Sequence, residues 1–195
     1  MRGMDTRRLI ILGGLTALAA LLALIFFNSG GEEKIKQVSP ESSEEHSQLS
    51  VQPQPKKIIT LFFLSEEDSL LHPEEREILD NPSAVYMAEQ AIEELLKGAQ
   101  SESLSALPAE TKLRGIFITK EGVAYVDFSG EIQESHPSGS TAEIATVFAV
   151  VNSLTYNFKT IKRVFILIDG SEKETLAGHV DLSQPLLPRY DLLGN

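Results

Sequence analysis

The sequence predicts an α/β fold: a two-layer domain with a mixed β-sheet and two main helices, preceded by an N-terminal transmembrane helix. Three observations carry this. Residues 9–27 are an uncharged apolar run, two later segments repeat apolar residues at helical spacing, and the runs between them have strand length and strand-forming composition.

The first element is LIILGGLTALAALLALIFF, Leu9 to Phe27. As a helix it measures roughly 28 Å, close to the hydrocarbon thickness of a bilayer, so it is long enough to span. Arg2, Arg7 and Arg8 precede it against Asp5, and Glu32 and Glu33 follow. That asymmetry puts residues 1–8 in the cytoplasm and the rest outside, as a single-pass membrane protein. The alternative is a secretory signal, cleaved near Ala17-Leu18-Ala19 or Ser29-Gly30-Gly31, with a secreted product. Residues 28–56 hold Pro40, Pro53 and Pro55, repeated Ser and Gln, and several glutamates. Such a stretch buries too little apolar surface to offset its ordering entropy, so it reads as a disordered linker, from which the domain hangs off the membrane rather than lying on it.

Residues 57–195 are long enough for one domain. Ile58–Leu64 (IITLFFL) reads as a buried central strand, and SEEDSLLHPEER after it as a loop or short edge strand. Asn81-Pro82 supplies an N-cap and first-turn proline for a helix whose Ala84, Ala88, Ala91, Ile92, Leu95 and Leu96 recur until Gly98. Leu113–Thr119 and Val123–Phe128 flank Lys120-Glu121-Gly122 as an antiparallel pair. Ser140 and Glu143 have capping-box spacing ahead of a second helix, with Ile144, Val147, Phe148, Val151 and Leu154 on one stripe and an end near Tyr156-Asn157. Val164–Ile168 is a strand closed by Asp169-Gly170, and Leu176–Leu182 reads as one strand more. Helices between strands serve as right-handed crossovers in a mixed sheet. Strands apolar on both faces need a second cover, expected from Leu70, Leu71, Ile78, Leu79, Leu182, Leu186 and Leu187.

VDFSGEI at 126–132, GSTAEIATVFAVVNSLTYNFKTIKRVFILIDG at 139–170 and ETLAGHVDLSQPL at 174–186 resemble the GerMN domain family, over about residues 57–187. The resemblance implies an α/β domain of exported lipoproteins or membrane-anchored envelope proteins, with a sporulation or germination role and no established enzymatic activity. Relatives of that kind work by contact with other envelope proteins. This chain departs from them in lacking a lipid-bearing cysteine, in carrying one domain copy, and in lacking proline and glycine within Tyr156-Asn157-Phe158-Lys159.

Composition narrows the chemistry. The absence of cysteine excludes disulfides, thiolate metal sites and a catalytic thiol, and the net charge of −11 argues against nucleic acid as a partner. Of four histidines, His46 falls in the linker and His72 in a charged loop, both expected to be solvated, while His136 draws no catalytic reading of its own. His179 and Asp181 share one face if extended, which would let the aspartate orient the imidazole of an envelope hydrolase acting on peptidoglycan or a peptide. Without cysteine or a second nearby histidine no metal is expected, and no cofactor either. The acids Glu66, Glu67, Asp68, Glu74, Glu75 and Glu77 lack calcium-loop spacing. Asp127, Ser129, Ser140 and Glu143 are expected to cap backbone, and Asn152, Ser153 and Thr155, which could read a ligand, to bond local backbone near the end of the second helix instead. Asp169, Gly170 and Gly178 complete the polar candidates for contact. The leading expectation is a non-catalytic module, anchored through Leu9 to Phe27, that binds or scaffolds an envelope protein or cell-wall-associated component.

Overall fold

The computed structural model describes residues 54–194. The spanning helix or signal expected at 9–27, and nearly all of the linker at 28–56, lie outside the described residues. Among the described residues no helix is long and apolar enough to cross a membrane. In order the chain forms β1 (Lys56–Leu64), β2 (Leu71–Leu79), α1 (Ala84–Leu96), β3 (Leu113–Ile118), β4 (Val123–Phe128), α2 (Glu131–Glu134), α3 (Ser140–Asn157), β5 (Arg163–Ile168), β6 (Ser171–Glu172) and a 3-10 turn at Tyr190–Leu192.

The apolar run in β1 is not the centre of a large sheet. It pairs with β2 alone, antiparallel, from Lys56 opposite Leu79 to Leu64 opposite Leu71. The segment expected as a loop or edge strand is thus a turn followed by a full strand. Ser65 N–H bonds Leu70 C=O at 2.8 Å, and the Asp68 carboxylate accepts from Leu70 N–H at 3.0 Å, closing the turn before Leu71. The open edge of β1 would expose backbone groups to an apolar neighbour, a costly arrangement. Side chains of α3 fill it instead. Thr60 N–H donates to Asn157 Oδ1 at 2.9 Å, Asn157 Nδ2 donates to Thr60 C=O at 2.6 Å, and Phe62 N–H donates to Ser153 Oγ at 3.1 Å.

The second sheet has the order β3-β4-β5-β6 and is mixed. β3 and β4 are antiparallel, β4 and β5 parallel with Val123 opposite Arg163, and β5 and β6 antiparallel. As the sequence suggests, α3 is the crossover between the parallel strands. Two turns depend on glycine. Gly122 has φ +87°, and a Cβ there would stand 2.7 Å from Thr160 C=O. Asp169 and Gly170, at φ 52° and 72°, make the mirror-image turn that suits strand twist. Leu176–Leu182 adds no strand; it is irregular, because its N–H groups are taken by a side chain of α3 rather than by β5.

α1 begins two residues later than expected. Ser83, not Asn81, is its N-cap, accepting from Tyr86 N–H at 3.2 Å, while Asn81 Oδ1 accepts from Ser83 N–H at 2.8 Å. Gly98 ends it at φ +85°. α1 packs on β1, β2 and β3, and α3 touches β1, β5 and α1. α3 therefore has no solvent face over Ala145–Leu154, where the sequence pattern suggests a single stripe. Leu71, Ile78 and Leu182 are buried as expected and Leu186 packs on the core, but Leu187 is 62% exposed. Leu186 exchanges both backbone hydrogen bonds with Val164, at 2.7 and 3.0 Å, so the C-terminal tail extends the edge of β5.

Candidate functional site

Most of the polar residues singled out by the sequence gather at the C-terminal ends of β4 and β5 and the N-terminus of α3. Asp127, next to last in β4, accepts from Gly170 N–H at 2.8 Å through Oδ1 and from Arg114 Nε at 2.9 Å through Oδ2. Arg114 reaches on to Asp169 Oδ1 at 3.2 Å. The Asp127 hydrogen bond and charge hold the guanidinium proton more firmly than usual. Ser129 acts between strands: its Oγ accepts from Lys112 N–H at 2.9 Å and its own N–H donates to Lys112 C=O at 2.9 Å. The Ser129 hydroxyl, followed by the local backbone N–H, keeps the Glu131 carboxyl below its ordinary range.

The capping box is not formed. Gly139 is the N-cap of α3 without a side-chain bond, and Ser140 is exposed. Glu143 turns inward and is fully buried, because the loop after β6 offers it more donors than the helix terminus does. Oε1 accepts from Leu176 N–H at 3.0 Å and Ala177 N–H at 2.8 Å; Oε2 accepts from His179 N–H at 2.8 Å and pairs with His179 Nδ1 at 3.0 Å. Burial opposes the charge, but the N–H groups of Ala177, Val180 and His179 and the His179 ring outweigh it and keep the carboxyl below its usual value. Thr175 Oγ1 accepts from Gly178 N–H at 3.1 Å, and Gln133 Nε2 donates to Leu176 C=O at 3.0 Å, tying the same loop to α2.

The pairing of His179 with Asp181 does not occur. Asp181 is exposed and accepts from Ser183 N–H at 2.9 Å and Ser183 Oγ at 2.6 Å, whereas the half-exposed imidazole belongs to Glu143. The two residues lie in an irregular loop, so the shared face of an extended strand is lost.

Asn152 and Thr155 sit further along α3, away from this group. Thr155 bonds Val151 C=O at 2.7 Å, the local pattern expected. Asn152 departs from it: fully buried, it donates to Arg189 C=O at 3.0 Å and accepts from Arg189 N–H at 2.9 Å, clamping the tail. His72 is also not a freely solvated loop residue; it lies on β2 and pairs with Asp68 at 2.8 Å. His136 Nε2 lies 2.9 Å from Thr146 Oγ1. Among the acids, Glu74 fixes the turn after α1, accepting from Arg76 Nη2 at 2.6 Å, Gln100 N–H at 3.0 Å and Ser101 N–H at 3.1 Å. Among the described residues no three His, Asp or Glu side chains converge on a point that could hold a metal. Ser153, expected with Asn152 and Thr155 to bond local backbone, instead accepts from Phe62 N–H across to β1. Asn157, Arg76 and Arg114 go unmarked by the sequence, where the one signal is the i,i+4 spacing of Ser153 and Asn157 inside an apolar helix.

A β-hairpin and a four-stranded mixed sheet joined through two helices, with a buried carboxylate binding a loop at the crossover helix, define a two-sheet α/β domain. The chain belongs to the Germane family, described as sporulation and spore germination, whose pattern matches residues 60–174. The first GerMN domain of the sporulation protein GerM from Bacillus subtilis is similar in structure, at TM-score 0.53 and 24% identity over 69% of this chain and 99% of that one. The tandem GerMN domains of the same protein match at TM-score 0.52 and 22% identity, over 70% of this chain and 48% of that one. This chain thus spans about half the length of the tandem structure, and both likenesses concern the fold. No curated protein matches the chain.

Proposed function

We propose that the chain is a membrane-anchored, extracytoplasmic and non-catalytic GerMN module that holds another envelope component in place, in a sporulation- or germination-type role. The anchor is the run Leu9 to Phe27, and the folded part lies beyond the linker. One observation favours binding over catalysis: the buried carboxylate of Glu143 spends its acceptor capacity on backbone N–H groups and on His179, and Asp181 faces away. A general acid or base needs a group free to exchange a proton with substrate, and this pair is already engaged in holding a loop. The exposed Arg114 and Asp169, with the half-buried Asp127 that Arg114 also pairs with, offer both signs of charge to a partner at the same end of the sheet.

The test is site-specific photocrosslinking in intact host cells, with the probe at exposed Glu172 beside this group. A reproducible crosslinked protein that is lost on Arg114→Glu is the expected result. Failure to crosslink from this and other exposed positions, together with turnover of peptidoglycan or peptide that disappears in His179→Ala, would overturn the binding role in favour of an enzyme.

A further inference from the structure

The protein carries a net charge of −11, yet its cations are unevenly placed. At the end of the domain opposite Asp127 and Glu143, the turn between β3 and β4 meets the turn between α3 and β5. Lys162 and Arg163 N–H both donate to Gly122 C=O, at 2.8 and 3.2 Å, so the two turns are locked side by side. This brings Lys120, Lys159, Lys162 and Arg163 together, all exposed. Lys57, at the start of β1, joins them with its Nζ 5.7 Å from the centroid of the Phe158 ring. Among the described residues none of these five forms an ion pair, although most other cations of the domain do. Glu121 is interleaved with them, and Glu77, paired with Lys56, and the exposed Asp80, whose N–H donates to Pro55 C=O at 2.8 Å, stand at the same end of the hairpin, leaving the cations in excess.

A cation near the C-terminus of α3 would complement the helix dipole, but that effect fades within one turn and accounts for Lys159 alone. The remainder form a basic pole on an acidic body. Ile58, which follows Lys57 on the opposite face of β1, is 61% exposed. Ala84 and Met87 of α1 line one hollow with Lys57, Phe158 and Lys159. Lysine and arginine beside this partly apolar hollow match the chemistry of a bilayer surface, where cations meet lipid phosphate. The chain also enters the domain at this pole, through Lys56 and Lys57, so whatever precedes β1 is attached there.

We propose that, in place of the domain hanging clear of the membrane as the linker alone would have it, this basic pole rests on the anionic headgroups of the bilayer surface, docking the domain with its Arg114, Asp127 and Asp169 end pointing away. The pole's affinity for lipid stands by itself; its delivery to the bilayer rests on the anchored reading of residues 9–27.

Because the chain lacks cysteine, a single dye can be placed by Thr160→Cys at the pole or by Ser171→Cys at the other end. The full chain is reconstituted with vesicles of phosphatidylcholine, alone or with about one-third phosphatidylglycerol, carrying a headgroup-labelled energy acceptor. Transfer from position 160 is expected to exceed that from 171 on anionic vesicles, and the difference to vanish in high salt. Titrating the phosphatidylglycerol content, the combined Lys159→Gln, Lys162→Gln and Arg163→Gln variant should lose affinity by about fivefold for each charge removed, while Lys162→Arg keeps it. Equal transfer from both positions on anionic lipid, or a contrast unchanged by salt and by the triple variant, would overturn the proposal. So would binding of soluble polyphosphate with no contrast on vesicles, which would assign the pole to an anionic polymer. A chain that leaves neutral vesicles in high salt yet keeps the contrast on anionic ones refutes the anchor and upholds the docking pole.

Discussion

Glu143 shows how one buried side chain can decide a local structure. Its carboxylate gathers three backbone N–H groups at 2.8 to 3.0 Å and the His179 ring, organising a loop with no regular secondary structure. Glu143→Gln keeps the shape but turns an amide donor toward groups that are themselves donors, and should cost about 2–4 kcal/mol of stability, read from urea midpoints. The pH dependence follows from the lowered folded-state pKa. Above the unfolded value the carboxylate is charged in both states and its contribution is fully present. As pH falls through the unfolded and then the folded value, from roughly 4.3 downward, the unfolded chain takes up its proton first and the contribution is lost. Wild-type stability should therefore fall more steeply below that pH than that of Glu143→Gln, by acid titration of the unfolding midpoint. The spacing of Ser140 and Glu143 advertises a helix cap, and only the three-dimensional position of residues 176–180 diverts it.

At the scale of elements, α3 substitutes for a missing strand. Asn157 supplies both a donor and an acceptor to Thr60, as a neighbouring strand would, and Ser153 serves Phe62. Asn157→Ala should destabilise the domain by about 1–3 kcal/mol and speed amide exchange at Thr60 more than at residues bonded to β2. The β3–β4 turn gives a second comparison. Gly122→Ala meets both a positive φ and the Thr160 carbonyl, and should cost more than 1 kcal/mol or so in thermal unfolding; Gly115→Ala, with nothing within 4 Å of its Cβ, should change stability little. Local patterns made both main helices, the β3–β4 hairpin and β5 legible, because each has its own periodicity and punctuation. What could not be read was pairing. The uniform apolarity of IITLFFL fits a central strand of a large sheet or a hairpin strand beside a helix equally well. Neither Pro73 nor the charges at Glu74, Glu75 and Glu77 suggest a nine-residue partner. In the same way Asn152 and Ser153 look like helix-end residues bonding locally, since the segments they hold are far away in sequence. The cluster at Asp127, Ser129, Asp169 and Gly170 could be found because strand ends and turns mark themselves with such residues, whereas Arg114 reads as an ordinary strand cation.

On the scale of the whole molecule, the two ends differ in charge, and the proposed topology makes their orientation testable. A periplasmic-type enzyme reporter fused after the last residue should be active, and one that functions only in the cytosol inactive, if Leu9 to Phe27 spans with the arginines inside. The reverse result would remove the envelope role and the crosslinking partner together. The staples that α3 makes to β1 and to Arg189 also bear on how the domain carries load. A pull on the residues before Lys56 against the C-terminal tail, whose Leu193 bridges Leu71 at the far end of the hairpin, runs along β1 and loads its nine residue pairs and the Asn157 and Ser153 bonds together. Bonds that must break at once resist force better than bonds that open in turn, so tension in that direction meets the strongest part of the domain.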